Sequence, residues 1–326
     1  MKTLIFSVFC FFMALGPVAA HADSQLSIFD RLAANEGVSE LRIALDYDVL
    51  EDNRRTEDFM PAELTNGNET YSLKVRVRGR FRRMNCAMPP LKIKFNKEEL
   101  LSQGLNKHND FKLVTHCVEG DVGQDYLLRE QLAYELYRTV AGDAAFRTEL
   151  FKVTYVNTVD GSTETSYAIL IEDTDQLEDR LMASQPESSY GTAYEAFTNA
   201  EMVNLFQYMI GNTDFSLVQG RNVKLMETEN GMVTAVPYDF DFSGFVGASY
   251  ATVRVDLGQR NQQDRVWIWE FEESAELEAA SNHFLSMKDQ LMDQVENYTL
   301  LDRDSRRELS QFMQSFFRDL QRNRVK

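Results

Sequence analysis

Histidine and cysteine are scarce in this chain, with four and three among 326 residues. A Ser/His/Asp hydrolase therefore has little to draw on, and no Gly-x-Ser-x-Gly block is present. The absence of any Cys-x-x-Cys spacing or His cluster excludes the common zinc patterns. No glycine-rich G-x-G-x-x-G loop occurs, and no internal repeat. No segment reaches the ~18 consecutive apolar residues that suggest a membrane span. Positive charge is also in deficit. The net charge is −17 and the pI is near 4.7, which argues against nucleic-acid binding over the whole surface.

The first residues read as a secretory signal. Lys2 supplies a positive start, residues 4–19 an apolar stretch, and Ala20-His21-Ala22 a small-residue cleavage site. Residues 1–22 are thus expected to be removed, leaving an exported chain, periplasmic or extracellular, that starts near Asp23 and has no membrane span. Cys10 lacks the context of a lipoprotein cleavage site. The two remaining cysteines, Cys86 and Cys117, are expected to form one disulfide. It would close a loop of about thirty residues, worth on the order of 3–4 kcal/mol.

The order of elements predicts an α+β chain. Residues 23–175 read as a sheet-rich part with one prominent helix at 124–139, which carries Leu127, Leu128, Leu132, Leu136 and Val140 on one stripe. Residues 149–158 and 166–173 are expected to form a hairpin across Asp160-Gly161. Residues 176–326 read as helix-rich, with amphipathic helices at 270–296 and 303–323 and a polar loop at 183–195.

Basic residues concentrate in one place. Lys74, Arg76, Arg78, Arg80, Arg82 and Arg83 lie within ten residues, alternating at first with Val75 and Val77. This predicts a strand with a basic face. Such a face either protects a solvated sheet edge or forms an anion site, and the residues leave both open.

Two blocks carry most of the chemistry. Residues 210–222 (IGNTDFSLVQGRN) hold Asp214 and Asn222, and 236–244 (VPYDFDFSG) hold Asp239 and Asp241. Asp214 is expected in a loop after an apolar helix ending at Gly211-Asn212. Residues 221–226 and 232–242 are expected to pair as a hairpin, placing Asp239 and Asp241 on one face of an extended strand. Phosphoryl transfer needs such a set: one Asp to orient or deprotonate the acceptor hydroxyl, and an Asn and a second Asp to hold the metal. Oxygen ligands suit a hard divalent cation.

These blocks, with VRVRGRFRR at 75–83, PPLKIKF at 89–95 and QDYLLREQLAYELYR at 124–138, resemble the spore-coat kinase-like (CotH) family of atypical protein kinases. The similarity runs from about Val75 to Gly247 in the same order. It departs from the family pattern at Arg80-Phe81, at Pro89, and in the eight residues between Asp214 and Asn222. The resemblance implies a two-lobed atypical protein-kinase-like fold with a sheet-rich N-lobe and a helix-rich C-lobe. It implies Mg or Mn with ATP as cofactors, and a protein or small-molecule acceptor. Asp214 would be catalytic, and Asn222, Asp239 and Asp241 would bind metal. Arg78, Lys92 and Lys94 would meet the nucleotide, with Glu130 (or Glu135) pairing one of the lysines.

Two other roles compete. A catalytically inactive exported protein that binds an envelope component is the alternative, since an exported chain meets little ATP and no glycine-rich loop is present. The DFDFS block also matches the opening of haloacid-dehalogenase-type phosphatases, with Asp239 as nucleophile. That fold needs a doubly wound α/β domain, whereas helices follow here.

Overall fold

The computed structural model describes residues 26–34, 37–188 and 190–325. The expected signal peptide lies outside them.

Seven strands build the first half: β1 (Ser39–Leu45), β2 (Met60–Asn66), β3 (Glu69–Val77), β4 (Leu91–Phe95), β5 (Asp110–Val114), β6 (Thr148–Asn157) and β7 (Thr163–Ile171). They pair in the order β1-β2-β3-β4-β5-β7-β6, and β6 returns to β1, so the sheet closes on itself. The β1–β6 pairing is parallel, while all other neighbours run antiparallel. This overturns the two-lobed kinase-like fold expected from the sequence, whose first lobe is an open sheet. A closed mixed barrel leaves no free edge, so edge protection is not the role of the basic residues on β3.

Side-chain alternation explains the barrel. On β3, Tyr71, Leu73, Val75 and Val77 point inward, while Ser72, Lys74 and Arg76 point outward. Leu91, Ile93 and Phe95 of β4 and Phe111 and Leu113 of β5 join them inside, leaving Lys92, Lys94, Asp110 and Lys112 outside. Short helices cover the ends and flanks: α1 (Ile28–Leu32), α2 (Tyr47–Asp52), α3 (Arg82–Asn85) and α4 (Lys97–Ser102). Cys86 and Cys117 form the expected disulfide, which ties the end of α3 to the segment after β5.

Helix α5 (Gly120–Ala141) joins the barrel to the rest. Its predicted stripe, Leu127, Leu128, Leu132, Leu136 and Val140, is buried. It belongs to a second core with α7 (Ala200–Ile210) and the C-terminal helices α8 (Leu277–Ser286), α9 (Lys288–Glu296) and α10 (Arg303–Gln321). Between β7 and α7 lies α6 (Thr174–Leu181), capped by the Asp173 side chain. Strands β8 (Val223–Glu227) and β9 (Val233–Pro237) form a separate antiparallel hairpin. The helix expected over 270–296 starts only at Leu277 and is broken at Met287 into two. Among the described residues, no helix is long and apolar enough to cross a membrane.

Candidate functional site

The outer face of β4 and β5 looks toward the start of α6 and Lys224 of β8. Between them lies a cavity of about 490 Å³ lined by thirteen residues. Six are lysines: Lys92, Lys94, Lys97, Lys107, Lys112 and Lys224. In a chain of net charge −17 this is a strong local reversal of sign. Lys92 pairs with Asp110 at 2.9 Å, and Lys107 with Asp179 at 3.3 Å. Lys224 donates to the Gln185 side chain, and Lys112 to the Thr174 hydroxyl at 2.9 Å.

Lys112 links this cavity to the acidic motif. Its ammonium lies 5.0 Å from the centre of the Phe146 ring and 5.9 Å from that of Tyr238, the residue before Asp239. Burial lowers the Lys112 ammonium to about 7, the charges of Arg78 and Lys224 add to the fall, and Asp173 opposes it. Arg78 is half-buried just beyond β3, and has no ion-pair partner among the described residues. Its charge reaches Lys112 and Lys224 on one side and Glu130, Tyr134 and Tyr238 on the other. Arg78 does not itself line the cavity.

The acidic cluster forms around Arg82, a residue the sequence did not single out beyond its basic run. Strand β3 ends at Val77, Gly79 turns the chain with φ of 83°, and α3 then carries Arg82 inward. Arg82 is only 8 % exposed. Its guanidinium lies 3.2 Å from Glu130, 3.3 Å from Asp241 and 4.0 Å from Asp239, with the Tyr250 hydroxyl at 3.4 Å. Burial pushes the Asp241 carboxyl well above the ordinary range. Arg82 pulls it down, while Asp239 and Glu130 add to the rise. Burial likewise raises Glu130, again against Arg82.

Asp239 and Asp241 do not lie on one extended strand. Strand β9 stops at Pro237, and Asp239 has left-handed backbone, φ 66°. Asp and Asn tolerate that conformation better than other L residues. The turn separates the pair: Asp241 is 3 % exposed against Arg82, while the Asp239 side chain stays 34 % exposed. The Asp239 backbone N–H donates to the Tyr134 hydroxyl at 2.8 Å.

Asp214 sits in the loop after α7, as expected. Gly211 ends that helix at φ 64°, and a Cβ there would sit 3.4 Å from the Phe312 ring and 3.5 Å from the Gly244 nitrogen. Asn212 accepts from the Asp214 backbone N–H. Asn222 donates from Nδ2 to the Asp214 carbonyl at 2.7 Å and its carboxylate at 3.0 Å, and Arg221 lies 3.6 Å from the same carboxylate. Asn222 also has left-handed backbone, φ 51°, and its carbonyl accepts from the Tyr238 backbone N–H. That bond joins the Asp214 loop to the Asp239 turn. Glu270 braces the loop from outside through Ser216, Leu217 and Val218.

The chain matches no known family model, and no curated protein matches it. The chemistry rests on these residues.

The structure brings Asp214 and Asn222 together, and places Asn222 beside the turn that carries Asp239. Lys92 and Lys94 both line the cavity, on adjacent outward positions of β4. Glu130 pairs with Arg82 rather than with either lysine. Among the described residues, no three His, Cys, Asp or Glu side chains are grouped for a metal. Lys112, Lys224 and Tyr134 went unrecognised, and only the outward position of Lys112 in the alternating FKLV segment signalled any of them.

Proposed function

We propose that this protein is a metal-dependent phosphotransferase that moves a phosphoryl group from a phosphoanhydride donor to a hydroxyl acceptor. The observation that carries the proposal is the lysine cavity, whose Lys112 lies against Tyr238, the residue before Asp239, together with the Asp214–Asn222 pair that hydrogen-bonds to that same turn. Donor phosphates need cations, which Lys94, Lys97 and Lys224 of the cavity supply, and a bound phosphate would hold the proton on Lys112. The acceptor hydroxyl needs a positioned carboxylate. Asp214 supplies it, 38 % exposed at its side chain and fixed by Asn222. The order of the motif blocks, which resembles that of the CotH family, supports the same assignment.

The donor set fits a magnesium-like ion, Mg or Mn. Asn222 commits its Nδ2 to Asp214, so its Oδ1 is the atom left to ligate, and Asp239 is the accessible carboxylate nearby. Such an ion takes one or two carboxylates and completes its shell with phosphate and water. When bound, it would neutralise charge on the donor phosphates. Asp241 faces Arg82 and would shape the site by fixing the Asp239 turn. The Cys86–Cys117 disulfide supports a location outside the cytoplasm.

The test uses Asp214→Asn and Asp239→Asn with magnesium and a phosphoanhydride donor. Asp239→Asn is expected to lose donor binding. Asp214→Asn is expected to keep it while losing transfer by roughly 10²–10⁴-fold, the usual worth of a positioned base. Transfer by Asp214→Asn at the wild-type rate would refute the assignment. Donor binding without transfer by the wild type would leave the protein a binding module.

A further inference from the structure

We propose that the phosphoryl donor is a linear inorganic polyphosphate, not a nucleotide. This assignment rests on the phosphotransfer proposed above. Nucleotide sites, like other small-molecule pockets, offer apolar or aromatic surface on which a base sheds its water. Here all thirteen residues lining the cavity are polar or charged. Of the two nearby rings, Phe146 is buried, and Tyr238, half-buried, lies 5.9 Å from the Lys112 ammonium; neither lines the cavity.

The cations are also arranged as a row. Arg76 pairs across the sheet with Lys92, and Lys92 with Lys112. Three like charges therefore face one another on adjacent strands, spanning roughly 10 Å at ~4.8 Å per strand step. Like charges directly opposite destabilise a sheet. Glu57 relieves Arg76 and Asp110 relieves Lys92. Lys112 has no carboxylate ion-pair partner among the described residues, and neither do Lys94, Lys97 and Lys224 around the same cavity. Within the cavity, a chain of phosphates would meet Lys94, Lys97, Lys224 and Lys112, and would compete with Asp110 for Lys92. Its end would reach Lys112, which lies against Tyr238, the residue before Asp239.

The transfer then balances without a nucleoside. The acceptor oxygen attacks the terminal phosphorus, and its proton passes to the Asp214 carboxylate. One P–O anhydride bond breaks and one ester bond forms. The chain leaves shortened by one phosphate, carrying the negative charge of the broken bond.

Isothermal titration of the mature chain in magnesium tests this with inorganic tripolyphosphate, ATP and adenosine. Tripolyphosphate is expected to bind at least as tightly as ATP, and adenosine not at all. Lys112→Gln with Lys224→Gln is expected to weaken tripolyphosphate at least tenfold. Both side chains lie outside the barrel core but are enclosed by the cavity walls, so a thermal melt checks that the double variant folds. Lys94→Gln with Lys97→Gln, at more open positions of the same cavity, is expected to weaken tripolyphosphate as well. Asp239→Asn is expected to weaken it too. ATP binding tenfold tighter than tripolyphosphate would overturn the polyphosphate assignment and leave phosphotransfer standing. Tripolyphosphate binding indifferent to Asp239→Asn would mark a mere ionic attraction and also overturn it. Failure of both donors to bind would sink the phosphotransfer proposal as well.

Discussion

Replacing Arg82 with Met removes the one cation that the buried carboxylates Glu130 and Asp241 share. Both acids are almost fully enclosed, at 1 % and 3 % exposure, so neither recovers hydration when the guanidinium is lost. Removing one partner of a buried ion pair costs about 3–5 kcal/mol, because the remaining charge stays desolvated. At ~2.1 cal/mol/K per residue over the chain, that loss lowers the melting temperature by roughly 4–7 °C. Differential scanning calorimetry at neutral pH reads it directly. The triple variant Arg82→Met/Glu130→Gln/Asp241→Asn keeps the shapes and drops all three charges. It is expected to regain at least about half of the lost stability, since the penalty lies in the unpaired charges rather than in the missing contacts. A single variant that melts within a degree of wild type would show the cluster to be hydrated. A triple variant no more stable than the single would show that packing, not charge, holds Arg82 in place. Either result refutes the reasoning.

Lys112 predicts a pH dependence. Its folded ammonium releases its proton near 7, and the unfolded side chain near 10.5. Between those values the unfolded chain binds more protons, so stability contributed by this group rises with pH; it is lost as pH falls from about 10.5 to about 7 and changes no further below that. Lys112→Gln should flatten that slope in pH-resolved urea unfolding, and an unchanged slope would contradict the burial described here. The Cys86–Cys117 crosslink closes a loop with a sequence separation of 31, so Cys86→Ser/Cys117→Ser should lose about 3–4 kcal/mol. Wild type melted in strong reductant should behave like the double variant, and equal melting of oxidised and reduced protein would refute the crosslink's contribution.

Local periodicity made much of the chain legible. The alternation of β3 and β4, the β6–β7 hairpin, the stripe on α5 and the loop position of Asp214 follow from residues close in sequence. The disulfide followed from counting cysteines. Barrel closure did not, because it depends on a single parallel pairing between distant strands that no local pattern encodes. Arg82 was hidden for a different reason. It continues the basic alternation of β3 in sequence, but Gly79 ends the strand, so a residue that reads as solvent-facing turns inward. Asp239 was misplaced because Pro237 ends β9, with the left-handed turn following, where the sequence still reads as alternating Asp and Phe. Of the basic cavity, Lys92 and Lys94 of β4 were legible in the alternation of that strand, whereas Lys97, Lys112 and Lys224 are single lysines in separate segments that only the fold brings together.

The parallel seam also sets an order of assembly. Ser39 finds its partner at Phe151, so β1 waits for more than half of the sheet's sequence before its second edge is covered. On a chain synthesised from its N-terminus, β1 to β5 can zip together as neighbours while β1 still presents an open row of backbone donors and acceptors. Non-local pairing of this kind is slow to form, and an unpaired edge is a template for other chains. The hazard is therefore concentrated in the interval before β6 emerges, and a chain interrupted between α5 and β6 should aggregate where the full-length one does not.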